Sequence, residues 1–152
     1  MDNDSIVGIL NELVETCRDG QEGFKEASDN VTTQDLKNFF LEMSRERAQF
    51  LGELQNQVRG YGSDPDNTGS TAGALHRAWM SIKGTLTGQD DKAILAEVER
   101  GEDSAVKAYE HALKERLPIS CRPMVERQYL AIKTAHDHIK LMRDSRSVKA
   151  GR

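Results

Sequence analysis

Three residues of this chain have side chains that could hold a redox metal inside a helical bundle: Glu46, Glu102 and His136. Dinuclear iron or manganese sites in four-helix bundles take one Glu from each of two helices and a Glu-x-x-His pair from each of the other two. A carboxylate and an imidazole three residues apart on a helix project toward the same ion. That pattern is broken here. Gln49 stands three residues after Glu46, where a His is needed, and Lys133 stands three residues before His136, where a Glu is needed. Glu12, Glu15, Asp19, Glu22 and Glu26 fall mostly away from the apolar stripe of their segment, which therefore offers no bridging carboxylate. The expectation is no catalytic residue, no cofactor and no metal. In the competing reading, Glu46, Glu102 and His136 bind a single iron or manganese ion with Tyr109 or Tyr129 nearby.

Helical geometry places these groups relative to the apolar faces. At ~100° per residue, Glu102 lies within about 40° of Val98 and about 60° of Ala105, so its carboxylate points to the core or its edge. The same reckoning turns Arg47 and Gln128 inward and leaves Glu46, His136 and Tyr129 at the flanks. A guanidinium standing where a metal would sit neutralises a carboxylate through two parallel hydrogen bonds and no ion. Arg47, Glu102 and Gln128 are therefore expected to form a structural polar core.

Other suggestive groups have plainer readings. His136 and His138 diverge by about 200° on a helix and cannot chelate one ion, and a helical His beside an apolar seam usually meets a carboxylate or carbonyl. The acidic run from Glu97 to Asp103 reads as a solvated face, and the cations from Lys140 to Arg152 suit a helix C-terminus. Cys121, just ahead of a helix start, is the candidate for a thiol activated by the helix dipole, with an inert thiol favoured; Cys17 reads as a small core residue.

Four apolar stripes position these residues. Ile6, Leu10, Leu13, Cys17, Gly20, Phe24 and Ala27 predict a first helix over about 4–30. Gly20 and Gly23 within it suggest that a neighbouring backbone or large side chain needs the space, with a local bend as the alternative. Thr32-Thr33-Gln34-Asp35 supplies capping chemistry for a second helix over about 34–59, with Leu36, Phe39, Phe40, Met43, Phe50, Leu54 and Val58 inward. A third helix over about 91–116 carries Ile94, Val98, Ala105, Tyr109 and Ala112, and a fourth over about 122–145 carries Val125, Ile132, Ala135, Ile139 and Met142. Residues 60–90 form a long connection with breaker-rich turns and a short helix over about 71–86, where His76 and Trp79 either fix the segment to the bundle or line a ligand pocket.

Short loop, long connection, short loop implies parallel second and third helices and a crossover, with an up-down-up-down bundle as the alternative. The chain has 152 residues, so one domain over 1–146 with a basic tail over 147–152 is predicted. A formal net charge of -4 gives no general reason to bind nucleic acid, and no apolar run approaches membrane-spanning length. Two distant cysteines without Cys-x-x-Cys spacing indicate neither a disulfide framework nor a thiolate zinc site. A cytoplasmic protein is expected.

Together, Leu10-Asn11-Glu12-Leu13, Asp19-Gly20-Gln21-Glu22-Gly23-Phe24, Arg45-Glu46-Arg47-Ala48-Gln49-Phe50, Gly69 to Trp79 and Glu99-Arg100-Gly101-Glu102-Asp103 resemble a bacterial family of ferritin-like four-helix-bundle proteins of unknown function. The resemblance spans nearly the whole chain. It implies the crossover topology and no established activity.

The function expected is that of a non-catalytic helical protein, in a stress setting, that associates with itself, a dimer being favoured, or with an unidentified protein partner. Val7, Val14, Val31, Leu95 and Val106, outside the main stripes, are the residues expected to supply that interface. The alternative is a degenerate iron- or manganese-dependent oxidoreductase.

Overall fold

Asp2 opens the first helix by accepting the Ser5 amide at 2.8 Å, satisfying one of the free donors of the first turn. This α1 spans Asn3–Asn30, and a two-residue break leads to α2, Gln34–Gly60. The computed structural model describes residues 1–65, 86 and 88–150, and the side chains of these through 146. The expected short helix over 71–86, with His76 and Trp79, lies almost wholly outside the described residues; Leu86, at its end, is buried in the core. Asp90 caps α3, Asp91–Lys114, by accepting the Ala93 amide at 2.8 Å, and α4 spans Arg122–Ala150. The described residues thus form an all-helical protein of four long helices.

Thr33 holds the N-cap position of α2 but spends its hydroxyl elsewhere. It donates to Asp91 Oδ2 at 2.5 Å, and the Thr32 hydroxyl donates to the same oxygen at 3.1 Å. The Thr32 and Thr33 amides add bonds of 2.8 and 3.1 Å to the Asp91 carboxylate. The start of α3 therefore sits against the start of α2. Asp91 gains more from these four donors than it loses by desolvation, which holds its carboxyl below the usual value.

At the opposite end, Arg122 Nη1 and Nη2 donate to the Glu115 and Leu113 carbonyls at 3.1 and 3.0 Å, satisfying acceptors that the end of α3 leaves open. Tyr61 and Ser120 meet through their hydroxyls at 2.5 Å, fastening the end of α2 to the α3–α4 turn.

The core divides into two apolar clusters. One holds Leu10, Leu13, Phe50, Leu54, Tyr109 and Val125 among others; the second holds Phe24, Leu36, Phe40, Ile94, Val98 and Ile139 among others. Fully burying a side chain of this size contributes about 1.5–3 kcal/mol, so the two clusters account for most of the driving force. Between them, in sequence order on α1, α2 and α3, lie Gly20, Arg47 and Glu102.

Several boundaries and faces differ from the sequence reading. The third helix stops at Lys114, because Glu115 is extended, and the fourth continues to Ala150 through the stretch expected to be a tail. Val14, Val31, Leu95 and Val106 are buried, and Val7 packs against the first cluster, so they cannot supply an external interface. A bundle helix touches two neighbours and buries an apolar band wider than one three-four row, which accounts for the difference. No helix among the described residues is long and apolar enough to cross a membrane.

Candidate functional site in the bundle core

The polar layer between the clusters is built from α2 and α3. Arg47 follows Met43 by four residues and precedes Phe50 by three, so the helical repeat carries it inward at a position an apolar residue would normally hold. Glu102 does the same between Val98 and Ala105. Their forks meet in parallel: Nη1 donates to Oε1 at 2.7 Å and Nη2 to Oε2 at 2.5 Å, with both side chains fully buried. Burial alone would lower the Arg47 pKa, but the Glu102 charge and hydrogen bonds more than offset it and the guanidinium stays charged.

Room for Arg47 comes from Gly20, where an added Cβ would lie 3.0 Å from Nη1. The guanidinium carbon also stands 5.1 Å from the centroid of the Phe24 ring, a cation–π distance. Nε of Arg47 has no hydrogen-bond partner among the described residues.

A second polar chain runs outward beside this pair. Tyr109 donates its hydroxyl to Gln128 Oε1 at 2.7 Å, so the Cys17 thiol, 3.1 Å from the Tyr109 hydroxyl oxygen, is the donor to it. Gln128 Nε2 donates to Glu53 Oε1 at 3.1 Å and to the Phe50 carbonyl at 3.4 Å. Arg127 Nη2 donates to Glu53 Oε2 at 2.6 Å, where the chain reaches the surface. Burial pushes the Cys17 thiol up to about 11, and burial followed by the neighbouring thiol pushes the Tyr109 phenol well above its usual value. Both groups stay protonated near neutral pH, and the chain holds side chains in place.

The metal candidates are not brought together. Both oxygens of Glu102 belong to Arg47. His136 turns Nε2 to Asp103 Oδ1 at 2.5 Å and Nδ1 to Asp137 Oδ1 at 3.0 Å, leaving no lone pair for an ion. Among the described residues, no group of three His, Cys, Asp or Glu side chains is placed to hold a metal. The donor set does not fit a di-iron or dimanganese centre, since a guanidinium stands within it. Burial works against the imidazolium, but Asp137 and Asp103 outweigh it and raise the His136 pKa. Glu46 is half-buried on the outer side of α2, and burial raises its pKa.

Cys121 is buried, and burial raises its thiol pKa rather than lowering it, so the reactive-thiol candidate is not activated. Tyr129 donates to Glu110 at 3.1 Å on the surface, away from the layer. Four participants escaped the sequence reading. The sequence carries no signal for Glu53 or Asp91, Asp103 falls in the acidic run read as a solvated face, and Cys17 reads as a small core residue; only the helix rotations and axial register bring each to its partner.

Residues 5–115 match the family described as a domain of unknown function, DUF2383. The chain belongs to this family. The DUF2383 match takes in α1, α2, the connection and α3, and therefore Gly20, Arg47 and Glu102, while Gln128, His136 and the rest of α4 lie beyond it. No curated protein matches the chain.

Proposed function

We propose that this is a bacterial, cytoplasmic, ferritin-like bundle that acts without catalysis by associating with a second copy of itself through the outward face of α4. Crossover connectivity is supported by Asp91. Because α3 starts beside the start of α2, the two described ends of the connection stand about one helix length apart, and the 27 residues of α2 extend ~40 Å at ~1.5 Å each. A non-catalytic role is supported by the Arg47–Glu102 pair, which engages both Glu102 oxygens, and a reducing compartment by two unpaired thiols.

The association reading rests on one observation: Leu130 and Leu141, three turns apart on α4, are 64% and 66% exposed. Arg127, Leu130, Thr134, Asp137, Leu141 and Asp144 follow one another at spacings of three and four, an outward seam opposite the buried stripe. Two copies paired antiparallel about a two-fold axis set Leu130 against Leu141, Thr134 against Asp137, and Arg127 against Asp144, each twice. Apolar layers lie inside and charge pairs at the ends. The small apolar area predicts a weak dimer, with a Kd in the micromolar range.

Charge reversal tests the register. Arg127→Glu and Asp144→Lys should each be monomeric alone, since each places like charges together, whereas an equimolar mixture should dimerise, because both end pairs are then opposite in sign. Sedimentation equilibrium reads the outcome. A wild-type monomer at several hundred micromolar overturns self-association, and a mixture that stays monomeric overturns the register. Stoichiometric iron or manganese in protein purified without a metal-binding tag would overturn the non-catalytic reading.

A further inference from the structure

A groove of about 290 Å³ lies between α2 and α4, on the outer side of the polar layer. Its walls are two helical rows: Phe39, Met43 and Glu46 on α2, and Ala131, Thr134, Ala135 and His138 on α4. Phe39 and His138 stack with centroids 5.0 Å apart and planes 28° from parallel, giving the groove an aromatic wall. Met43 and Ala135 are buried and make its floor apolar.

Two oxygen-bearing side chains, Thr134 and Glu46, stand among these apolar groups. The Thr134 hydroxyl donates to the Leu130 carbonyl at 2.8 Å, so its lone pairs remain as acceptors. The Glu46 carboxylate is half-buried and makes no hydrogen bond or ion pair among the described residues, although its helix neighbours Glu42 and Arg45 and the buried Arg47 and Glu102 all carry charge nearby. A partly desolvated carboxylate without a partner favours any cation that reaches it more strongly than a solvated one does. A single carboxylate offers too few ligands to hold a bare metal ion, and its charge repels anions.

We propose that this groove binds a small organic ammonium, a primary amine bearing a compact apolar group, with Glu46 as its counter-ion. The N–H groups are donated to Glu46 and Thr134, the ammonium lies near the Phe39 ring, and the apolar body covers Met43, Ala131 and Ala135. The binding does not rest on self-association through α4. Thr134 belongs to both the groove and the α4 seam, whereas Leu130 and Leu141 do not line the groove, so Leu130→Lys/Leu141→Lys protein should bind the amine at least as tightly as wild type.

The test is titration of ¹⁵N-labelled full-length protein with n-hexylamine, with 1-hexanol, methylamine and hexanoate as controls. Saturable amide shifts confined to residues 39–46 and 131–138 are expected, together with a fall in the Glu46 carboxyl pKa. Each control should bind at least about tenfold more weakly. Glu46→Gln should weaken hexylamine binding about tenfold or more, and Ala131→Trp, which fills the groove from its rim, should abolish it; unchanged spectra elsewhere show that both variants are folded. Equal binding of hexanol, or undiminished binding to Glu46→Gln, overturns the proposal. A capped lysine amide that binds as tightly as hexylamine also overturns it, by making the occupant a partner protein's side chain.

Discussion

Arg47 and Glu102 meet fork to fork between α2 and α3, with contacts of 2.7 and 2.5 Å and no part of either side chain exposed. Breaking such a pair leaves one buried charge alone, which typically costs 3–5 kcal/mol, or about that here. Arg47→Met and Glu102→Leu should each lower the unfolding free energy by about that amount in urea titrations. The double variant should recover most of the loss, because two apolar groups of similar volume need no partner. Additive losses would mean that the layer is held by something other than the pair.

Gly20 and Arg47 are coupled by space. In wild type, a Cβ at position 20 lies 3.0 Å from a guanidinium that Glu102 holds rigidly, so Gly20→Ala should destabilise by about 1 kcal/mol despite its better helix propensity. In the Arg47→Met/Glu102→Leu background the same substitution should become stabilising by up to about 1 kcal/mol. A double-mutant cycle with no interaction energy would sink this argument.

His136 ties α4 to α3 through Asp103 and sits beside Asp137 and Lys133 on its own helix. Its folded pKa lies above the unfolded value of 6.5, so the contribution is full below about pH 6.5 and fades as pH rises through the raised folded value. The stability difference between wild type and His136→Gln should therefore be larger near pH 5.5 than near pH 9. A difference that grows with pH would contradict the assignment.

Asp91 fastens two turns of the chain with four hydrogen bonds. Asp91→Ala should cost about 1–2 kcal/mol and speed amide exchange at Thr32 and Thr33 more than in the middle of α2. With its carboxyl pKa below 3.8, the stabilisation is present above about pH 3.8 and disappears as pH falls through the folded value.

Neither thiol should react with Ellman's reagent in native protein at pH 8, and both should react within seconds in denaturant. Cys17 is held near 11 and Cys121 is raised by burial. Rapid native labelling of Cys121 would show that the α3–α4 turn opens.

The sequence made the long apolar stripes readable because three-four spacing is a local property; Leu10, Phe40, Val98 and Ile139 needed no tertiary knowledge. Gly20 could be read in part, since two glycines inside a strong helical repeat suggest either a close neighbour or a bend, and Arg47 is the close neighbour. The width of the buried face could not. Leu95 and Val106 adjoin the central stripe, and only the presence of a second neighbouring helix decides that they are covered. The link from Cys17 to Tyr109, separated by 92 residues, depends on the axial register of α1 against α3, which no local pattern encodes.

The ion pair also constrains how this sequence can change over generations. Losing either charge first passes through a protein lacking roughly a third or more of a typical domain's stability, so single-step replacement is a poor route. Gly20 is coupled to the pair, since a side chain there costs about 1 kcal/mol until Arg47 has gone. Positions 47 and 102, on two different helices, should therefore change together, with position 20 free to gain a side chain once they have changed.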